Sequence, residues 1–118
     1  MEYLKRIAEE QLTLRLEAFG AVQIKGPKWC GKTTTAEQQA KSIIKLQDPD
    51  SRAGYLATAR TKPSILLKGD TPRLIDEWQD APILWDVVRN AIDERRQTGQ
   101  FIFIGSTVIE SVLPIIGR

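Results

Sequence analysis

The chain has 118 residues, 42% of them hydrophobic and 27% charged, which suits one globular domain. Its 17 basic and 15 acidic residues leave a net charge of +2 and no basic block, so nothing indicates nucleic acid or a membrane surface as partner. The absence of histidine excludes Ser-His-Asp and Cys-His catalysis and histidine-based zinc sites.

Cys30 is the one cysteine, so no intrachain disulfide forms and a reducing cytoplasm is the expected setting. Residues 1–6 carry no apolar signal core, and no stretch approaches membrane-spanning length. A chain of this length buries about two-thirds of its unfolded surface, enough for one core.

Leu4, Ile7, Ala8, Leu12, Leu16 and Phe19 fall at helical spacing, and Gly20 ends that helix. Residues 21–25 lack a helical stripe and lie between glycines, which predicts a strand. A helix is expected from about Lys32 to Ser42, with Ala36, Ala40 and Ile43 on its buried face. Ile43 to Leu46 reads as the second strand. Asp48-Pro49-Asp50 turns the chain, and Asp50 or Ser51 is placed to cap a short helix through Ala57, limited by Pro63.

Residues 64–67 fit helix or strand equally, and Lys68 to Pro72 is a turn by composition. Arg73 to Asp76 predicts a third strand. Pro82 opens an amphipathic helix carried by Leu84, Trp85, Val88, Ala91 and Ile92 to about Gln97, stopped by Thr98-Gly99. Phe101 to Ile104 is a continuous apolar run of buried-strand type, followed by Gly105-Ser106. Strands alternating with helices imply an α/β fold with a parallel sheet and helices on both faces.

Residues 26–34, GPKWCGKTT, carry the clearest chemistry. Gly26, Gly31, Lys32 and Thr33 fit G-x-x-x-x-G-K-[ST], between a predicted strand and a predicted helix. The glycines let successive backbone N–H groups turn toward an anion, and the positive helix end adds to the same spot. Lys32 can reach outer phosphates, and the Thr33 hydroxyl can ligate magnesium. Pro27, Lys28, Trp29, Cys30 and Thr34 complete the candidate nucleotide contacts. Cys30 fits best as a small loop residue, and Lys28 either adds charge toward a nucleotide or faces water. Trp29 is the tryptophan best placed to touch ligand, whereas Trp85 lies on an apolar helix face.

Such a loop calls for a carboxylate site after a later strand, and LIDEWQ at 74–79 supplies one. Asp76 can hold magnesium through water, and Glu77 can polarise an attacking water. Ile-Asp-Glu recurs at 92–94, but Asp93 and Glu94 lie on the polar side of a predicted helix. If the fourth strand lies between the first and third, Ser106 sits at the same phosphates, where its hydroxyl could sense the γ-phosphate.

GPKWCGKTT, LIDEWQDAP and FIFIGS, in this order, resemble the AAA_14 group of bacterial and archaeal ATPases, over roughly residues 3–106. The resemblance implies a P-loop NTPase three-layer sandwich with strand order 1-4-3-2. It implies Walker A at Gly26–Thr33, Walker B at Asp76-Glu77 and a sensor-like residue at Ser106. The cofactors implied are ATP and Mg2+. Members of the group usually continue into a DUF4143 domain. No residues here match an arginine finger or second sensor. Residues 107–118 do not match the family pattern: the chain is a truncated product, or this tail folds back as a cover. Its six large aliphatic side chains are expected to expose apolar surface and favour self-association.

Three readings follow. One is an ATPase core, slow in isolation; the second is a nucleotide-binding regulatory module without turnover. The third, a small-molecule kinase, lacks a recognisable acceptor site or arginine-rich lid.

Overall fold

Phe101-Ile102-Phe103-Ile104 presents no polar side chain to water on either face, and all four are fully buried. Such a strand needs cover above and below and a neighbour at each edge. The computed structural model describes residues 2–26, 32–106 and 111–115, and the side chains of 9–26, 34–105 and 115.

In chain order the elements are α1 (Glu2–Ala18), β1 (Ala21–Gly26), α2 (Lys32–Gln39), β2 (Ser42–Lys45) and α3 (Arg52–Thr61). A 3-10 turn (Pro63–Leu67), β3 (Arg73–Asp76), a second 3-10 turn (Trp78–Asp80) and α4 (Ile83–Arg95) follow, then β4 (Phe101–Ser106) and β5 (Ser111–Ile115). The sheet order is β2-β3-β4-β1-β5. Pairing is parallel from β2 to β1 and antiparallel between β1 and β5. The parallel strands therefore take the expected 1-4-3-2 order of a P-loop NTPase-like α/β sandwich.

Side chains alternate across a strand, so each strand feeds two cores. Val22, Ile24, Leu74, Ile102 and Ile104 face Leu12 and Leu16 of α1 and Ala36 of α2. Ala21, Ile44, Ile75, Phe101 and Phe103 face the other way, onto Ala59, Leu66, Leu67, Leu84 and Val88. Helices on both faces explain why β4 carries no polar alternation.

Several boundaries differ from expectation for identifiable reasons. Helix α2 stops at Gln39 rather than Ser42, because the Lys41 N–H turns to the Pro72 carbonyl (2.8 Å) and begins the β2–β3 pairing. Ile43 consequently lies on β2, 39% exposed, and not on a buried helical face. Neither Asp50 nor Ser51 caps α3 with its side chain. Instead the Arg52 N–H meets the Asp48 carbonyl at 2.8 Å, and the helix runs to Thr61 before Pro63 ends it. The ambiguous segment 64–67 is part of the first 3-10 turn. Helix α4 ends at Arg95, where Arg96 adopts a left-handed conformation (φ 54) and its N–H bonds the Ile92 carbonyl at 2.9 Å.

Residues 111–115, to which the sequence assigned no element, form β5 against β1, and Ile115 is buried there. Pro114 lies opposite Val22 in that pairing. Proline has no N–H to give a ladder, which suits a strand at the sheet margin.

Arg73 is an unusual opening for an interior strand. Its Nε donates to the Leu66 carbonyl at 2.8 Å and its Nη1 to Ser42 Oγ at 3.1 Å. Its backbone N–H reaches the Gln100 carbonyl at 2.9 Å. Burial lowers its pKa, an effect partly countered by Tyr55. The guanidinium thus ties the start of β3 to β2 and to the first 3-10 turn. Arg73→Met keeps the aliphatic stem but removes both side-chain bonds. It should lower stability by about 2 kcal/mol, the range for hydrogen bonds from a charged donor. Denaturant midpoints of variant and parent measure this, and equal midpoints would deny the staple.

Candidate functional site

The register of three parallel strands assembles the site. Gly26, the last residue of β1, pairs with Ser106, the last of β4. Asp76, the last of β3, pairs with Ile104, two residues earlier on β4. Neighbouring strands lie about 4.8 Å apart, so the backbones of Gly26, Ser106 and Asp76 share the carboxyl edge of the sheet. Ligands of open α/β sheets bind along that edge.

β1 ends at Gly26 and Lys32 is the first residue of α2, so a helix N-terminus follows after five intervening residues. That end carries unpaired N–H groups and a partial positive charge. Pro27, Lys28, Trp29, Cys30 and Gly31 lie outside the described residues, as do the side chains of Lys32, Thr33 and Ser106. Thr34 is exposed on α2, whereas Thr35, not among the candidate nucleotide contacts, is 2% exposed.

The carboxylate pair is described in full. Asp76 is half-buried at the strand end, and Glu77 is 8% exposed. The Glu77 N–H donates to the Ile104 carbonyl at 2.8 Å, extending the β3–β4 ladder by one bond. Glu77 then takes a left-handed conformation (φ 58, ψ 50), uncommon for a residue with a Cβ. This bend turns the chain off the sheet into the 3-10 turn Trp78–Asp80, closed by Asp80 N–H to Glu77 O at 3.1 Å. Backbone conformations of this kind cost about 1–3 kcal/mol and gather at functional sites.

Three contacts hold that turn. Trp78 stacks on Phe103 with centroids 5.4 Å apart and planes at 10°, and it meets Trp85 at 5.0 Å. Asp80 Oδ2 accepts from Arg52 Nη1 at 2.6 Å and from Gln47 Nε2 at 3.1 Å, fastening the turn to the start of α3. Gln79 Nε2 donates to Glu77 Oε2. Arg52, Gln79 and Asp80 were not singled out from sequence: their partners become visible only once the left-handed bend at Glu77 is known. Trp85 packs half-buried against the core, and Trp78 joins it there.

Asp93 and Glu94 lie exposed near the end of α4, so the second Ile-Asp-Glu is a solvated helix face. Among the described residues, no group of three His, Cys, Asp or Glu side chains gathers to form a metal cage. Magnesium does not need one: it is held by one or two protein oxygens together with substrate phosphates and water. A half-buried Asp76 on the carboxyl edge fits that donor set. No helix among the described residues is long and apolar enough to cross a membrane.

A family model described as AAA domain, AAA_14, matches residues 18–113, passing Ser106 into β5. No curated protein and no solved structure matches the chain.

Gly105 shows how closely the turn packs on β4. A Cβ there would fall 3.1 Å from Trp78 Nε1 and 3.2 Å from Gln79 Oε1. Gly105→Ala should therefore push the turn outward and destabilise the fold by about 1–3 kcal/mol, as for other overpacked sites. Near-UV circular dichroism of the Trp78–Trp85 pair, alongside a thermal melt, reads both effects. An unchanged aromatic signal with an unchanged midpoint would show that the turn tolerates the methyl group.

Proposed function

This chain belongs to the AAA_14 family of AAA domains, which implies nucleotide binding, and from that premise we propose that it binds Mg-ATP and hydrolyses it, slowly when isolated. The observation that carries this reading is the shared strand edge. Gly26 pairs with Ser106, and Asp76-Glu77 leave the sheet one strand further on.

Each residue has a distinct task in this reading. Backbone N–H groups of 28–33 and the Lys32 ammonium hold the β- and γ-phosphates. Thr33 and Asp76 hold magnesium, which supplies charge neutralisation at the phosphate oxygens when bound. Glu77 takes a proton from the attacking water as its oxygen bonds to the γ-phosphorus. The bond from that phosphorus to the ADP oxygen breaks, and the proton passes on to solvent. Ser106 contacts the γ-phosphate from the neighbouring strand. The adjacent Asp-Glu pair suits transfer to water rather than to a second substrate, which favours an ATPase over a kinase.

Lys32→Ala should weaken binding of a fluorescent ATP analogue by roughly tenfold or more, the worth of a charge-assisted hydrogen bond. Equal binding by variant and parent would remove the phosphate-loop assignment.

Glu77→Gln should keep Mg-ATP binding, because Lys32, Thr33 and Asp76 are untouched. Phosphate release should fall by about 100-fold, as when a proton-accepting group is lost. The double change Asp93→Asn with Glu94→Gln should leave binding and release as in the parent. Activity lost in the 93–94 variant and kept in Glu77→Gln would reverse the assignment. Binding without release in the parent would leave a nucleotide-binding module.

A further inference from the structure

Resting on the hydrolytic reading above, we infer that Gln79 is the positioning residue of Glu77, its side-chain amide setting the orientation in which the carboxylate meets the attacking water. A general base must lie within hydrogen-bond reach of the proton it takes. Misplacement by about 1 Å can lower a rate roughly 100-fold. A glutamate has three side-chain torsions, so its backbone alone does not fix its carboxylate.

Gln79 supplies one such constraint. Its Nε2 donates to Glu77 Oε2 across only two residues. Side chains two apart on a strand point the same way but stand well separated, and on a helix they diverge. The left-handed Glu77 and the 3-10 turn after it bring this pair together. The other end of the Gln79 amide is also confined, because its Oε1 packs against Gly105, where a Cβ would come within 3.2 Å. Gln79 is exposed while Glu77 is buried, so an accessible amide reaches inward to a buried carboxylate. The turn that carries it is anchored independently, by Trp78 on Phe103 and by Asp80 on Arg52. Gln79 can therefore be changed without releasing the turn.

Two variants test this. Gln79→Leu removes the donor at similar size, and Gln79→Glu keeps the shape but offers a carboxylate to a carboxylate. In steady-state phosphate release, kcat should fall about tenfold or more in both, with KM for Mg-ATP within about twofold of the parent. Thermal midpoints should fall only slightly, because one hydrogen bond to a buried carboxylate is lost while the anchors of the turn remain. In proton–nitrogen NMR spectra of the parent, a Gln79 side-chain amide proton should lie downfield and return to the ordinary amide range in Glu77→Ala. A parent that turns over, with kcat intact in both variants, overturns this inference alone. So does a loss of kcat matched by a rise in KM, which would mean a general disturbance of the nucleotide site. A Gln79 amide resonance indifferent to Glu77→Ala overturns it too. A parent that binds nucleotide yet releases no phosphate sinks the hydrolytic reading, and the catalytic purpose of the Gln79 bond with it.

Discussion

Burial of β4 on both faces, between β1 and β3, is the constraint on which the other parts depend. Phe101 and Phe103 need α3 and α4 on one side; Ile102 and Ile104 need α1 and α2 on the other. Parallel pairing at both edges then fixes which residues of β1 and β3 stand beside which residues of β4. A slip of one residue would swap the two faces of the strand and place four apolar side chains against the wrong layers. The core thus sets the register, and the register sets which backbone positions meet at the carboxyl edge of the sheet.

At that edge the chain departs from regular structure where chemistry would need it. β1 ends at Gly26, and α2 opens at Lys32. β3 ends in a left-handed glutamate whose N–H is still tied to β4. The strain at Glu77 is held in place by ordinary interactions nearby: an aromatic cluster beneath Trp78, an ion pair at Asp80, and the missing side chain of Gly105. Removing any of these loosens the turn that presents the carboxylate. A buried core and a polar edge are mechanically coupled through three residues, Trp78 to Asp80.

Much of this was legible in the residues themselves. β3 is Arg73–Asp76 as expected, and β1 and β4 differ from expectation only at their ends. Their apolar runs are bounded by glycine, proline or charge, and such boundaries are local. The phosphate-loop pattern and the Asp-Glu pair were equally local, and the contrast with Asp93-Glu94 followed from helical periodicity. What escaped was tertiary. Pro63–Leu67 has a composition that fits several conformations, and packing of Leu66 and Leu67 against the sheet decides it. Ser51 has a favoured capping side chain, yet backbone N–H groups of Ser51 and Arg52 donating to the Asp48 carbonyl make the turn instead. β5 contains Pro114, which argues against a central strand and is accommodated at the margin beside β1. The Gln79–Glu77 bond depends on one backbone angle that no residue preference announces.

We propose the common edge of β1, β4 and β3 as the site for a magnesium-bound nucleoside triphosphate. A crystal structure of the chain with magnesium and a slowly hydrolysed ATP analogue tests it most directly. The triphosphate should be cradled by 28–33 at the start of α2, with magnesium on Thr33 and Asp76 reached directly or through one water. The γ-phosphate should lie between Lys32, Ser106 and Glu77. A triphosphate bound elsewhere, or a metal ion with no link to Asp76, would contradict it.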